Sequence, residues 1–152
     1  MLTNRGKYAT RAMLDLALHY KQGPVLIQDI AARQKIPIKF LEQILLTLKN
    51  AGFVVSRKGR GGGYLCARPP SEITLGSVVR VIDGPLAPVS CASVTRNSDC
   101  GCPDPATCAL RAIWKDARDA LSRVLDGTTF AEICERQNEM STTSPNVIDY
   151  MI

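Results

Sequence analysis

Four cysteines fall within eighteen residues, spaced Cys91-x8-Cys100-x-Cys102-x5-Cys108. On a loop, thiolates so spaced can converge on a soft metal ion or an iron–sulfur centre, because a flexible segment brings several ligands to one point. The spacing lacks the paired C-x2-C of a zinc ribbon, so zinc fits less well. A redox disulfide pair is the competing reading. Cys66 and Cys134 stand alone within apolar patterns and read as packing residues. His19, the single histidine, ends a helical pattern and reads as structural or solvated. There is no Ser/His/Asp set, no Cys–His pair close in sequence and no paired carboxylates in a glycine-framed pocket, so an enzyme is not expected.

A second stretch with chemical content is "SRKGRGGGY", residues 56–64, with four glycines and three positive charges. A dinucleotide fingerprint needs its glycines to open a helix after a strand, and a P-loop needs Lys then Ser or Thr after the last glycine. Here "YLCARPP" follows, and Pro69 and Pro70 forbid a helix interior. "FVVSR" and "YLCAR" flanking the glycines predict a β-hairpin with a glycine-rich tip.

The surrounding periodicity supplies the elements that must carry these two stretches. Tyr8, Ala12, Met13, Leu16 and Ala17 share one face of a helix over 5–20, and "QGP" at 22–24 breaks it. A short helix over 27–34 carries Ile30 and Ala31 inward. Pro37 suits the start of the next helix, over about 38–50, with Ile38, Leu41, Ile44, Leu45 and Leu48 apolar and Gly52 as its stop. Thr74 is a candidate N-cap for a further short helix. Residues 84–107 lack apolar periodicity and form a loop. A helix over about 106–125 follows, with Leu110, Ile113, Trp114, Ala117, Leu121, Val124 and Leu125 on or near one stripe. Thr129 and Glu132 stand at capping-box spacing before a last short helix, and the end of the chain reads as a loose tail.

This order predicts a mainly α fold with a small β-hairpin wing: a winged helix-turn-helix plus a long helix for dimerisation. The divisions are 1–83 for the winged domain, 84–108 for a cysteine-rich sensor loop, 109–137 for the dimer helix and a short C-terminal helix, and 138–152 for a flexible tail. The helix over 38–50 would enter the major groove. The hairpin would grip the backbone, with Arg57, Lys58 and Arg60 on phosphates and the glycines allowing close approach. A dimer helix would space two such heads for a palindromic site.

Charge agrees with this division. Residues 1–70 hold twelve Lys and Arg against three acids, a balance of +9, whereas 71–152 hold seven against eleven, a balance of −4. A basic reading half joined to a mildly acidic remainder suits a nucleic-acid module with a control region. No run is long and apolar enough for a membrane span, and the N-terminus lacks the apolar stretch of a signal peptide. A cytoplasmic protein with reduced thiols is expected.

The stretches "LTNRGKYATRAMLDLALH", "IPIKFLEQILLTLKNAGFVVSRKGRGGGYLCARPPSEITLGSVVRVID" and "CALRAIWKDARDAL" resemble the Rrf-two family of winged-helix regulators, the IscR, NsrR and CymR group. The match covers about residues 2–135. The resemblance implies a homodimeric bacterial transcription factor, often a repressor, acting on double-stranded promoter DNA, with a long helix crossing between subunits and no membrane association. It also implies three cysteines of the loop holding a 2Fe–2S or related cluster, at Cys91, Cys102 and Cys108. The family's usual gap of about five residues holds between Cys102 and Cys108, but the first gap is longer and contains Cys100. Iron–sulfur-assembly regulators place a histidine three residues after the third cysteine, where this chain has Arg111. Some nitric-oxide sensors use an acid near the start of the first helix, where it has Tyr8. Cys100 is therefore the candidate fourth ligand of an all-thiolate site.

The resemblance also implies that Glu42 discriminates among DNA sites, since a carboxylate accepts from cytosine N4 and repels phosphate. Lys39 and Gln43 are its neighbours at the interface, and Arg57, Lys58, Arg60, Gly61, Gly62 and Tyr64 belong to the wing. The expected function is a dimeric DNA-binding repressor controlled by a cysteine-ligated iron–sulfur cluster. The alternatives are a nitric oxide or redox sensor using the same cluster, a zinc- or thiol-switch repressor without iron, and a protein-binding adaptor that never touches DNA.

Overall fold

The computed structural model of the chain describes residues 2–96 and 98–143. Helix α1 (Asn4–Leu18) starts where the Thr3 hydroxyl accepts the Gly6 N–H at 3.0 Å. Its inner face carries Ala9, Ala12, Met13 and Leu16, each at most 1% exposed. Helix α2 (Ile27–Gln34) ends at Lys35 in the left-handed conformation, and after Pro37 helix α3 (Ile38–Asn50) begins. Leu41, Ile44, Leu45 and Leu48 recur at helical spacing and are fully buried against α1 and α2. Gly52, with φ of +82°, closes α3, and the Phe53 N–H reaches back to the Leu48 carbonyl.

The chain then forms an antiparallel hairpin of β1 (Val54–Arg57) and β2 (Gly63–Cys66), in the register Val54↔Cys66, Ser56↔Tyr64, Arg57↔Gly63. Helix α4 (Leu75–Asp83) is capped by Thr74, whose hydroxyl accepts the Ser77 N–H. Its Val78 and Ile73 just before it complete the core, together with Phe130 from the last helix. No helix among the described residues is long and apolar enough to cross a membrane.

Two boundaries differ from those expected. The long helix α5 (Ala109–Asp126) starts three residues later than its apolar stripe suggested. Asp104 accepts from the Ala106 N–H and the Thr107 hydroxyl, closing a separate 3-10 turn at Pro105–Thr107, so Cys108 becomes the N-cap of α5. The last helix α6 (Phe130–Thr143) opens on the expected capping box, with the Thr129 N–H donating to Glu132. It does not stop near 137, however. No Gly or Pro interrupts it before Pro145, and residues 138–143 of the expected tail are helical. The remainder of that tail lies outside the described residues.

A buried charge holds α1 to α2. Asp15, 1% exposed, accepts from Arg33 Nε at 2.9 Å, Arg33 Nη2 at 2.8 Å and Gln34 Nε2 at 3.0 Å. Burial pushes its carboxyl up, but the hydrogen bonds from Arg33 and Gln34 and the charge of Arg33 outweigh this and leave it below its ordinary value. His19 Nδ1 lies 2.7 Å from the Asp15 carbonyl. Asp15→Ala is expected to cost about 2 kcal/mol in urea unfolding at pH 7, less than for a fully dry pair because Arg33 still meets water. A depressed pKa in the folded state means stability that is present above the ordinary value of 3.8 and lost as pH falls through the folded one. The gap between wild type and Asp15→Ala should therefore narrow below about pH 4.

Candidate nucleic-acid interface and cysteine loop

Because α3 buries one face so completely, its other face is free. Lys39, Glu42 and Gln43 are all exposed there. Two residues that patterning did not single out join them. Phe40 is 56% exposed and meets the Tyr8 ring edge-on at 6.3 Å, and Arg5 from the first turn of α1 donates to the Thr47 hydroxyl at 2.9 Å. Lys49 Nζ reaches Ser56 at 2.7 Å and ties the end of α3 to the first wing strand.

At the wing, Arg57, Lys58 and Arg60 are exposed, and among the described residues none of them forms an ion pair. The glycines divide into two kinds. Gly61, with φ of +73°, lies in open space, where it can approach a partner. Gly62 is buried, and a Cβ there would collide with the Arg57 carbonyl, so it shapes the tip from within and is not a contact surface. Tyr64 is likewise committed inward. Its N–H and C=O exchange bonds of 2.8 and 2.9 Å with Val25, and its half-buried ring packs on the core. Of the wing residues expected at the DNA, Arg57, Lys58, Arg60 and Gly61 are the exposed ones.

The cysteine loop leaves α4 at Asp83, which accepts from both the main-chain N–H and the hydroxyl of Thr3 and so joins the loop's origin to the start of α1. Cys91 sits in a 3-10 turn, Ser90–Ala92, and Cys108 caps α5, its sulfur accepting the Arg111 N–H at 3.5 Å. Between them, Cys100 and Cys102 are neighbours. The Cys102 thiol donates to the Cys100 carbonyl at 3.8 Å, and hydrogen bonding between the two residues holds Cys100 below the usual thiol value and pushes Cys102 up to about 11. Cys91 and Cys100, with Ser98, Asp99, Pro105 and Arg111, line a cleft of about 240 Å³. No three His, Cys, Asp or Glu side chains among the described residues already share a metal-sized site. In kind the donors fit a thiophilic group: four thiols on one loop, none of them buried. The other two cysteines do not belong to this set. Burial pushes Cys66 up to about 12 and also raises Cys134, so both remain inert thiols.

A family model described as "iron-dependent transcriptional regulator", Rrf2, matches residues 2–136. The chain belongs to the Rrf2 family. An Rrf2 protein of this kind is a winged-helix transcriptional regulator that binds DNA, not an enzyme. Its relatives include the transcriptional regulator IscR of Serratia proteamaculans, 37% identical over 137 residues, covering 90% of this chain and 80% of that one. Protein rrf2 of Nitratidesulfovibrio vulgaris is 40% identical over 132 residues, covering 87% and 85%. Among solved structures, CymR, the global cysteine regulator of B. subtilis, superposes with a TM-score of 0.76 at 32% identity, covering 90% and 97%. T. potens IscR superposes with a TM-score of 0.74 at 29% identity, covering 99% and 96%.

Against this Rrf2 frame, α5 has an unpaired surface. None of its residues is buried, and Leu110, Ile113, Trp114, Leu121 and Val124 are between 42% and 69% exposed. Its C-terminal end is tied to the winged domain. Arg80 of α4 clasps Asp126 with two bonds of 2.5 and 2.8 Å, and the Leu75 N–H donates to the Thr128 carbonyl.

Proposed function

We propose that this protein is a homodimeric repressor whose DNA binding is set by an iron–sulfur cluster on the 91–108 loop. The carrying observation is the placement of the four thiols on a segment anchored at one end to α4, and through Asp83 to α1, and at the other to the helix with the open apolar stripe. Cys91, Cys102 and Cys108 would hold the cluster, with Cys100 as the fourth thiol, and the winged domain (1–83) would read DNA. Bound there, the cluster would supply sensitivity to iron supply, oxidants and nitric oxide. The chain's own residues provide the transmission. Arg80–Asp126 couples the dimer helix to α4, and Asp83–Thr3 couples α4 to α1, against which the reading helix α3 packs. Ordering the loop would bias α5 and hence the spacing of the two heads.

Lys39, Glu42, Gln43 and the wing cations would form the DNA contacts. Arg60→Ala is expected to weaken binding to specific and unrelated DNA alike and to lower the slope of log affinity against log salt by about 1 per subunit, as for a lost phosphate contact. Glu42→Ala should instead broaden the range of accepted sites with little loss on the best one. Competition binding over a library of single-base variants reads both. An unchanged site preference would remove Glu42 from the discriminating role, and an affinity insensitive to salt would favour a protein-binding adaptor.

The nearness of Cys100 and Cys102, whose thiol donates to the Cys100 carbonyl at 3.8 Å, supports a second reading, a thiol switch that works without iron. The visible spectrum of anaerobically purified protein separates the two, with iron, acid-labile sulfide and zinc assayed on the same sample. Thiolate-to-iron bands with matching iron and sulfide support the cluster. Stoichiometric zinc without colour, or a metal-free protein whose DNA binding responds to oxidant, supports the switch.

A further inference from the structure

The two ends of the cysteine loop are held very differently from its middle. Arg111, one turn into α5, donates from Nε to the Cys91 carbonyl at 3.1 Å and from Nη1 to the Pro105 carbonyl at 3.4 Å, while its main-chain N–H meets the Cys108 sulfur. Seven residues on, and therefore on the same face of the helix, Arg118 donates from Nη1 to the Ala92 carbonyl at 2.5 Å. Two guanidinium groups thus take the consecutive carbonyls of Cys91 and Ala92. The turn they grip is closed by the Ala92 and Ser93 N–H groups, which donate to Val89 and Ser90, and Ala92 and Ser93 are buried. By contrast, the described part of 94–104 is exposed apart from Cys100, and its hydrogen bonds reach no further than three residues along the chain.

We propose that Arg111 and Arg118 are positioning residues that fix Cys91 against α5 before any ligand binds. Cys91 and Cys108 are then a prearranged half of the site, and the limb carrying Cys100 and Cys102 is the half that closes. This deepens the cluster reading and rests on it for the identity of the ligand, but the positioning itself is a property of the metal-free chain. A helix is the stiffest element available to the loop. Charged donors on main-chain carbonyls hold a turn without occupying its thiol, so the sulfur stays free to ligate. Position 111 accordingly acts on the cysteine's backbone, not as a ligand.

The test is peptide-resolved hydrogen exchange on the metal-free full-length protein, followed by anaerobic reconstitution with ferrous iron and sulfide. It compares wild type with Arg111→Gln, Arg118→Gln, Arg111→Lys and, as a control elsewhere on α5, Arg123→Gln. The Ala92 and Ser93 amides should exchange about tenfold faster in each Gln variant, with the α1–α4 amides unchanged and Arg123→Gln like wild type. Arg111→Lys keeps the charge but cannot span both carbonyls, and should fall between. In the Gln variants, reconstituted iron should be lost faster to a chelator. Unchanged exchange at 90–93 in both Gln variants overturns the proposal. Faster exchange with unaltered iron retention overturns the link between the arginines and the site. If the wild type takes up no iron and sulfide while the Gln variants still exchange faster, the cluster reading fails and the positioning of Cys91 stands.

Discussion

Ile113→Arg is expected to leave a folded monomer that binds a two-half-site operator about 100-fold or more weakly than wild type. Ile113 is 62% exposed and lies between Leu110 and Trp114 on the outward stripe of α5, so arginine meets only water in a lone chain and no core contact is lost. In a two-fold dimer the same position would face its own copy's helix, and two guanidinium groups would be desolvated together near the symmetry axis. The loss of apolar burial adds to this, since each large side chain removed from water contributes about 1.5–3 kcal/mol. A monomer keeps its contacts to one half-site and loses the effective concentration that the second half-site enjoys. Sedimentation velocity and titration on full and half operators check the two parts separately. A dimeric variant would show that α5 is not the interface. A monomeric variant with undiminished operator affinity would show that pairing is not needed for reading.

The second large effect concerns Cys108. Cys108→Ser is expected to abolish the visible bands and most bound iron and sulfide while leaving the helix content and the unfolding midpoint at least as high as in metal-free wild type. The separation follows from the cap role the residue has in the fold and the ligand role proposed for it. As N-cap of α5 its sulfur accepts the Arg111 N–H at the long distance of 3.5 Å, and a serine oxygen is the better acceptor there. As a ligand, a neutral hydroxyl is a poor substitute for a thiolate toward iron. Cys134→Ser provides the control: its thiol is raised by burial and packs on the core, so its replacement should cost stability and leave the colour intact. Retained colour in Cys108→Ser would remove it from the ligand set. Joint loss of colour and helix would mean that the cap, not the thiolate, was being measured.

Much of the fold could be read from residue spacing alone. The stripe on α3, the glycine that ends it, the Thr74 cap and the Thr129–Glu132 box are local, and local hydrogen bonding and burial periodicity act within a few residues. The basic half and the cluster of thiols were likewise visible, because charge and ligand type are properties of composition. What depended on chain segments distant in sequence was not visible. The family resemblance places Gly62 and Tyr64 on the wing, yet the Arg57 carbonyl beside Gly62 and the pairing of Tyr64 with Val25 decide how far each is turned inward. Asp15 looked like one acid among three in the basic half, until Arg33 and Gln34 from the next helix surrounded it.

The same holds at the cysteine loop. That four thiols would lie on one loop before an apolar helix follows from residue order. That Arg111 and Arg118 grip the turn around Cys91, leaving Cys100 and Cys102 on the free limb, appears only in the folded chain. Spacing constrains which residues can share a helix face, but a hydrogen bond across 20 or 26 positions exists only once the intervening chain has folded back.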